Sequence, residues 1–89
     1  MMHYLISVYG KVQGVFFRAN TVQIAQSLGV NGWVKNQKDG SVLISAEGNS
    51  QQLSELLAWC HQGPPWSVVE KVEYREIEPE GHRSFQLKY

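Results

Sequence analysis

Apolar and polar residues alternate along five segments of this chain, and this period of two favours β-strands. The alternating segments lie at residues 4–8, 30–37, 42–46, 68–74 and 85–89. Asp39-Gly40 separates the second segment from the third and is a strong signal for a hairpin turn. The pattern therefore predicts four strands and a short fifth strand at the C-terminus.

A first helix is predicted between the first two strands, because apolar residues recur every three positions in residues 19–29. Asn20 or Thr21 lies near its predicted start. Gly29 is the predicted stop, since glycine readily takes the left-handed conformation that ends many helices.

A second helix is predicted after the third strand. Asn49, followed three residues later by Gln52, has the pattern of a capping box. The apolar stripe of this helix consists of Leu53, Leu56, Leu57 and Cys60. The glycine and two prolines at 63–65 end it, because proline removes a backbone donor and clashes with a continuing turn.

The order of elements, β-α-β-β-α-β with a terminal strand, predicts an α+β, ferredoxin-like sandwich. In this fold two helices pack on one face of a mostly antiparallel four-stranded sheet. A chain of 89 residues predicts a single domain, residues 1–89. The architecture itself says nothing about activity, because it serves many unrelated functions.

Charge is distributed unevenly although the net charge is zero, a balance that argues against a nucleic-acid partner. Residues 1–38 carry formally +4 and contain no acidic residue, whereas residues 39–89 carry −4. The cations of the first part are Lys11, Arg18, Lys35 and Lys38. A small anion is the partner that suits this local positive charge.

The stretch GKVQGVFFR, residues 10–18, is the candidate anion site. Gly10 and Gly14 allow a turn whose amides point into one concavity, ahead of the positive end of a helix. Arg18 can bond two phosphate oxygens at once. A glycine turn before a helix is more often only a turn, so this pattern alone leaves both interpretations open.

Two blocks, VQGVFFR at 12–18 and GWVKN at 32–36, closely resemble the signature of the acylphosphatase family. The resemblance extends over essentially the whole chain, although Lys35 stands where many members have arginine. It implies the same βαββαβ fold. It also implies that Arg18 holds the phosphate and that Asn36 orients the attacking water.

The phosphate-binding segment implied by the resemblance consists of Gly14, Val15, Phe16, Phe17 and Arg18. Some of its apolar side chains should be buried and hold the loop in place. Residues expected to support the site are Gly10, Lys11 and Thr21, the last by capping the helix or by steadying the loop.

The resemblance implies hydrolysis of acyl phosphates to carboxylate and phosphate, with no cofactor and no metal. Inorganic phosphate and sulfate should compete with the substrate. We expect a cytoplasmic monomer with no nucleic-acid or membrane partner: the chain has one cysteine, no apolar run long enough to span a bilayer, and no leader at its start.

Other interpretations concern different residues. Cys60 lacks the C-x5-R pattern of thiol phosphatases, and its place in an apolar stripe favours a packed thiol. His3, His61 and His82 have no metal-ligand spacing and are predicted to be surface or rim residues. A binding module without catalysis, or an anion sensor with this fold, is the alternative that an assay must separate from an enzyme.

Overall fold

The computed structural model describes residues 1–89 and contains seven regular elements. These are β1 (Met2–Lys11), α1 (Phe17–Leu28), β2 (Asn31–Asn36), β3 (Val42–Gly48), α2 (Ser50–Gln62), β4 (Val68–Ile77) and β5 (Phe85–Leu87). Neither helix is long and apolar enough to cross a membrane.

The strands form one sheet in the order β4-β1-β3-β2-β5. All neighbours are antiparallel except β2 and β5, which are parallel. The predicted ferredoxin-like class is confirmed, and the short terminal strand extends the sheet to five strands. β5 lies beside β2, with Leu87 opposite Val34, and the Lys88 amide donates to the Val34 carbonyl at 2.8 Å. The C-terminus is thereby brought to the end of β2.

The core lies between the helices and one face of the sheet, and the period of two selects its strand residues. Ile6, Val8, Val34, Val42 and Ile44 are fully buried strand residues of this core. On α2, the predicted stripe is confirmed: Leu53, Leu56 and Cys60 are fully buried and Leu57 is half-buried. Burial of this apolar surface is the main term that stabilises the fold.

Helix α2 is capped as predicted. The Asn49 side chain accepts from the Gln52 amide at 2.8 Å, and the Gln52 side chain accepts from the Asn49 amide at 2.8 Å. The helix ends at Gln62, and Gly63 follows with φ of 68°.

The start of α1 was predicted wrongly. The helix begins at Phe17, three residues before Asn20, and its N-cap is Phe16, which makes no side-chain capping bond. Thr21 lies inside the helix, where its hydroxyl donates to the Phe17 carbonyl at 2.8 Å, so it does not cap the helix. Gly29 ends the helix as predicted, with φ of 79°.

Candidate active site

A cavity of about 230 Å3 opens where the β1–α1 loop (residues 12–16) meets the end of β2. It is lined by Val12, Gly14, Phe16, Phe17, Arg18, Ala19, Asn36 and Leu87. Arg18 and Asn36, predicted from two separate sequence blocks, therefore face the same cavity. Arg18 supplies the only ionisable side chain of the lining, so the cavity is cationic.

Arg18 is the second residue of α1, where the positive end of the helix dipole also favours an anion. Its guanidinium donates to the main-chain carbonyl of Lys88 at 2.8 Å. It also lies 5.1 Å from the centre of the Tyr89 ring. These two contacts orient the side chain, and neither contact is with a carboxylate.

Asn36 is the last residue of β2, and it pairs with Val42 at the start of β3. Its side-chain oxygen is buried and accepts no hydrogen bond from the protein. A buried amide oxygen without a partner is unfavourable, because the group loses water without gaining a replacement bond. Asn36 also lines the cavity, so its side-chain amide, which can both donate and accept, is placed beside any water molecule or ligand bound there.

Gln13 connects the β1–α1 loop to the turn that follows Asn36. Its side-chain amide donates to the Gln37 carbonyl at 2.8 Å and to the Ser41 carbonyl at 2.9 Å. Gln13 lies in the first sequence block, but the sequence predicted no role for it. The sequence offered one indication of this role: Gln13, with its long side-chain amide, lies between Val12 and Gly14 in the candidate loop.

The β2–β3 turn is fixed by its own hydrogen bonds. The Asp39 carboxylate accepts from the Ser41 amide at 2.9 Å and from the Ser41 hydroxyl at 2.6 Å. These bonds lower the pKa of Asp39 below its ordinary value, the hydroxyl bond contributing most. The Gln37 amide donates to the Ser41 carbonyl at 2.9 Å and closes the turn, as Asp39-Gly40 predicted. The turn that directly follows Asn36 is thereby fixed.

The β1–α1 loop is anchored by alternate side chains. Val15 is 7% exposed and Phe17 is 1% exposed, which confirms that apolar residues pin the loop, whereas Phe16 projects outward. Gly14 has φ of 75°, in the region that glycine enters at least cost. Of the predicted phosphate-binding segment, Val15 is the one residue that does not line the cavity.

The three residues expected to support the site do not line the cavity. Glycine is required at position 10 by strand packing: a Cβ there would lie 2.1 Å from the Val68 carbonyl oxygen, so only glycine lets β4 lie this close to β1. Lys11 is exposed at the end of β1. Thr21 is fully buried one turn into α1 and steadies the helix from within.

A second polar cluster lies on the sheet face away from the helices. His3, Glu47 and His82 place one possible metal-ligating atom each within 4.8 Å of one another. The prediction of a surface or rim position is wrong for His3, which is fully buried. Its Nδ1 donates to the Glu78 carbonyl at 2.8 Å, and its Nε2 lies 2.6 Å from the Ser45 hydroxyl. Both ring nitrogens thus have partners within the protein.

Glu47 is the centre of this cluster, and it accepts the backbone amides of Glu80, Gly81 and His82. Burial alone would raise the pKa of Glu47, but these three amides, with a smaller contribution from His3, hold its pKa below the ordinary value. The carboxylate therefore ties the loop between β4 and β5 to the sheet. Sequence reasoning missed this role, since a glutamate near a strand end usually faces solvent.

Cys60 is a structural residue of the core. The side chain is fully buried in the core, and burial raises the pKa of its thiol to about 12. A thiol in this state does not ionise near neutral pH and is a poor nucleophile. The predicted packed thiol is confirmed.

Comparison with known proteins agrees with this geometry. The family model described as Acylphosphatase matches residues 4–87. The acylphosphatase of Trichormus variabilis is 47% identical over 83 residues, which cover 93% of this chain and 82% of that protein. The acylphosphatase of Thermococcus kodakarensis is 44% identical over 82 residues, 92% of this chain and 90% of that protein. The crystal structure of acylphosphatase from Bacillus subtilis superposes with a TM-score of 0.97 at 39% identity, over 100% of both chains.

Proposed function

The chain belongs to the acylphosphatase family and is a hydrolase. We propose that Arg18 and the main chain of the β1–α1 loop bind the phosphate of an acyl phosphate, and that Asn36 orients the attacking water. The observation that carries this assignment is the shared cavity, which joins a tethered guanidinium to a buried amide oxygen without a partner.

Hydrolysis of an acyl phosphate requires that the attacking water be positioned and that the charge on the phosphoryl oxygens be stabilised. The water oxygen bonds to phosphorus while the bond from phosphorus to the carboxylate oxygen breaks. The leaving carboxylate is a stable anion at neutral pH, so no general acid is needed. Charge that develops on the phosphoryl oxygens is matched by Arg18 and by the start of α1. These groups are in place before the substrate arrives.

The cavity lining also bears on how the water loses its proton. It contains no carboxylate, histidine or cysteine, and therefore no side chain suited to act as a general base. We assign the proton of the water to an oxygen of the transferring phosphate. We propose that the Asn36 side-chain amide bonds to the water and fixes the direction of its lone pair without changing charge.

Several properties follow from this assignment. Inorganic phosphate and sulfate, which have the same tetrahedral oxygens, should inhibit competitively. Hydrolysis should continue in the presence of EDTA, because no metal takes part. We further propose that residues 1–89 act as a single domain, as a monomer and in the cytoplasm, which the single buried thiol suits.

The test is hydrolysis of benzoyl phosphate, followed by the loss of its ultraviolet absorbance, with and without EDTA. Turnover that survives EDTA and is inhibited competitively by phosphate supports the proposal. A folded protein that binds phosphate but does not turn over the substrate would instead support an anion sensor.

A further inference from the structure

Phe16 is a large apolar side chain that lies open to solvent beside the phosphate-binding groups. It is 71% exposed, and it lines the cavity that contains Arg18 and Asn36. The other large exposed apolar residues are Met1, Trp66, Val68, Tyr74 and Tyr89. Phe16 is the single member of this set that lines the cavity.

The local backbone does not favour phenylalanine at this position. Phe16 has φ of 64° and ψ of 22°, and it is the one residue other than glycine with positive φ. A side chain in this conformation costs roughly 1–2 kcal/mol, and asparagine or glycine would relieve it. The position is also the N-cap of α1, where Ser, Thr, Asp and Asn are the preferred residues and where Phe16 makes no side-chain capping bond. Backbone strain of this kind clusters at binding sites.

The ring forms one side of a cavity with two contrasting borders. Val12, Ala19 and Leu87 add further apolar surface to the lining that includes Phe16. The adjoining border beyond Asn36 is polar and contains Lys35, Gln37, Lys38, Asp39 and Tyr89. The cavity of about 230 Å3 is several times the roughly 30 Å3 that one water occupies in the liquid, which leaves room beside a bound phosphate.

We infer that Phe16 contacts the acyl group and makes the enzyme selective for acyl phosphates with an apolar acyl group. This inference rests on the proposed function, because the phosphate must be held by Arg18 for the acyl group to reach the ring. With the phosphate at Arg18, the acyl group lies either along the apolar side or along the polar border. Phe16 favours the apolar side, since an aromatic or branched acyl group buries both itself and the exposed ring.

The experiment compares benzoyl, acetyl and succinyl phosphate as substrates, with KM and kcat measured separately. The variants are Phe16→Asn, which suits the backbone but removes the ring, and Phe16→Leu, which keeps apolar bulk. Trp66→Ala is the matched control, because Trp66 is 70% exposed and lines neither the cavity nor its polar border. The inhibition constant of inorganic phosphate is measured on each protein.

In the unmodified enzyme we expect a lower KM for benzoyl phosphate than for acetyl or succinyl phosphate. Phe16→Asn should raise the KM for benzoyl phosphate by about tenfold, as expected for the loss of an aromatic contact. It should leave the KM for acetyl phosphate and the inhibition constant of phosphate within about twofold. Phe16→Leu should have an intermediate effect, and Trp66→Ala should have none.

Three results would overturn the inference. An equal rise in KM for all substrates, together with weaker phosphate inhibition, would assign Phe16 to the shape of the loop. A preference of the unmodified enzyme for succinyl phosphate would assign the acyl group to the polar border. If the KM for benzoyl phosphate did not change in Phe16→Asn, Phe16 would not contact the acyl group. Absence of turnover with every substrate would contradict the proposed function itself, and so differs from each of these results.

Discussion

The guanidinium of Arg18 donates a hydrogen bond of 2.8 Å to the main-chain carbonyl of Lys88, seventy positions further along the chain. The partner is a neutral carbonyl, so the bond orients the guanidinium without cancelling its charge. A long side chain that is already ordered loses less conformational entropy when an anion binds. The last two residues of the chain thus contact the side chain proposed to bind the anion, although they lie outside the sequence blocks that predicted it.

Removal of Lys88 and Tyr89 should weaken phosphate binding. The truncation deletes the carbonyl that accepts from Arg18, the Tyr89 ring near the guanidinium and the Lys88 amide that donates to Val34, while the residues of β5, which ends at Leu87, remain. We expect KM for benzoyl phosphate and the inhibition constant of phosphate to rise by about fivefold, given the modest strength of exposed contacts of this kind. Tyr89→Phe, which keeps the ring, should behave as the unmodified protein. Unchanged phosphate inhibition in the truncated protein would show that Arg18 needs no tether.

Gln13→Ala should lower kcat more than it affects phosphate binding. The substitution removes both bonds that hold the β2–β3 turn to the β1–α1 loop, so Asn36 loses its fixed direction. We expect kcat for benzoyl phosphate to fall by about tenfold. The free energy of unfolding should fall by about 1–3 kcal/mol, because two hydrogen bonds of about 0.5–1.5 kcal/mol each are lost, although each carbonyl keeps a backbone donor. Steady-state kinetics and urea unfolding measure the two effects.

Gln23→Ala is the control for Gln13→Ala, since Gln23 is an exposed residue of α1. It should change neither quantity. If Gln13→Ala lost stability but kept its kcat, the link between the two loops would be structural and would not position Asn36.

Glu47 should make the free energy of unfolding depend on pH in the acid range. Its pKa is lower in the folded state than its ordinary value of 4.5, so the unfolded chain binds more protons between the two values. Stability is therefore fully present above pH 4.5 and declines as pH falls through the folded-state pKa. His3, His82 and Glu80 also face this cluster, and their charges enter the same measurement.

Glu47→Gln should flatten this acid dependence. The amide nitrogen cannot accept the backbone amides of the β4–β5 loop, so we also expect a loss of about 1–3 kcal/mol at pH 7. Urea unfolding between pH 3 and pH 7 measures both effects, with the exposed Glu55→Gln on α2 as control. If the free energy of unfolding of Glu47→Gln depended on pH as it does in the unmodified protein, the dependence would arise from other carboxylates.

The sequence could predict the elements whose signals are local. The capping box at Asn49, the stop at Gly29 and the Asp39-Gly40 turn each depend on a few neighbouring residues, and all were found. Arg18 was predicted from the glycine turn before α1 as well as from the resemblance to a family signature, and Asn36 from the resemblance alone; the structure brings both to one cavity. The start of α1 was missed because Phe16 takes a left-handed conformation that no local rule assigns to phenylalanine.

The roles of Gln13 and Glu47 could not be predicted, because their partners are distant in the chain. Gln13 bonds carbonyls 24 and 28 residues away, and Glu47 binds amides 33 to 35 residues away. Alternation assigns a strand residue to one face of a sheet, but it does not reveal which loop later covers that face. Such contacts become visible only when the topology is known.

The most direct test measures benzoyl phosphate hydrolysis and phosphate inhibition in Arg18→Ala and Asn36→Ala, with the exposed Arg75→Ala as control. We expect Arg18→Ala to lower kcat/KM by about 100- to 1000-fold and to weaken phosphate inhibition, since it removes a preorganised donor. Asn36→Ala should lower kcat and leave the inhibition constant of phosphate unchanged. An Asn36→Ala protein that lost phosphate inhibition but kept its kcat, or an Arg18→Ala protein with unimpaired kcat/KM, would contradict the assignment.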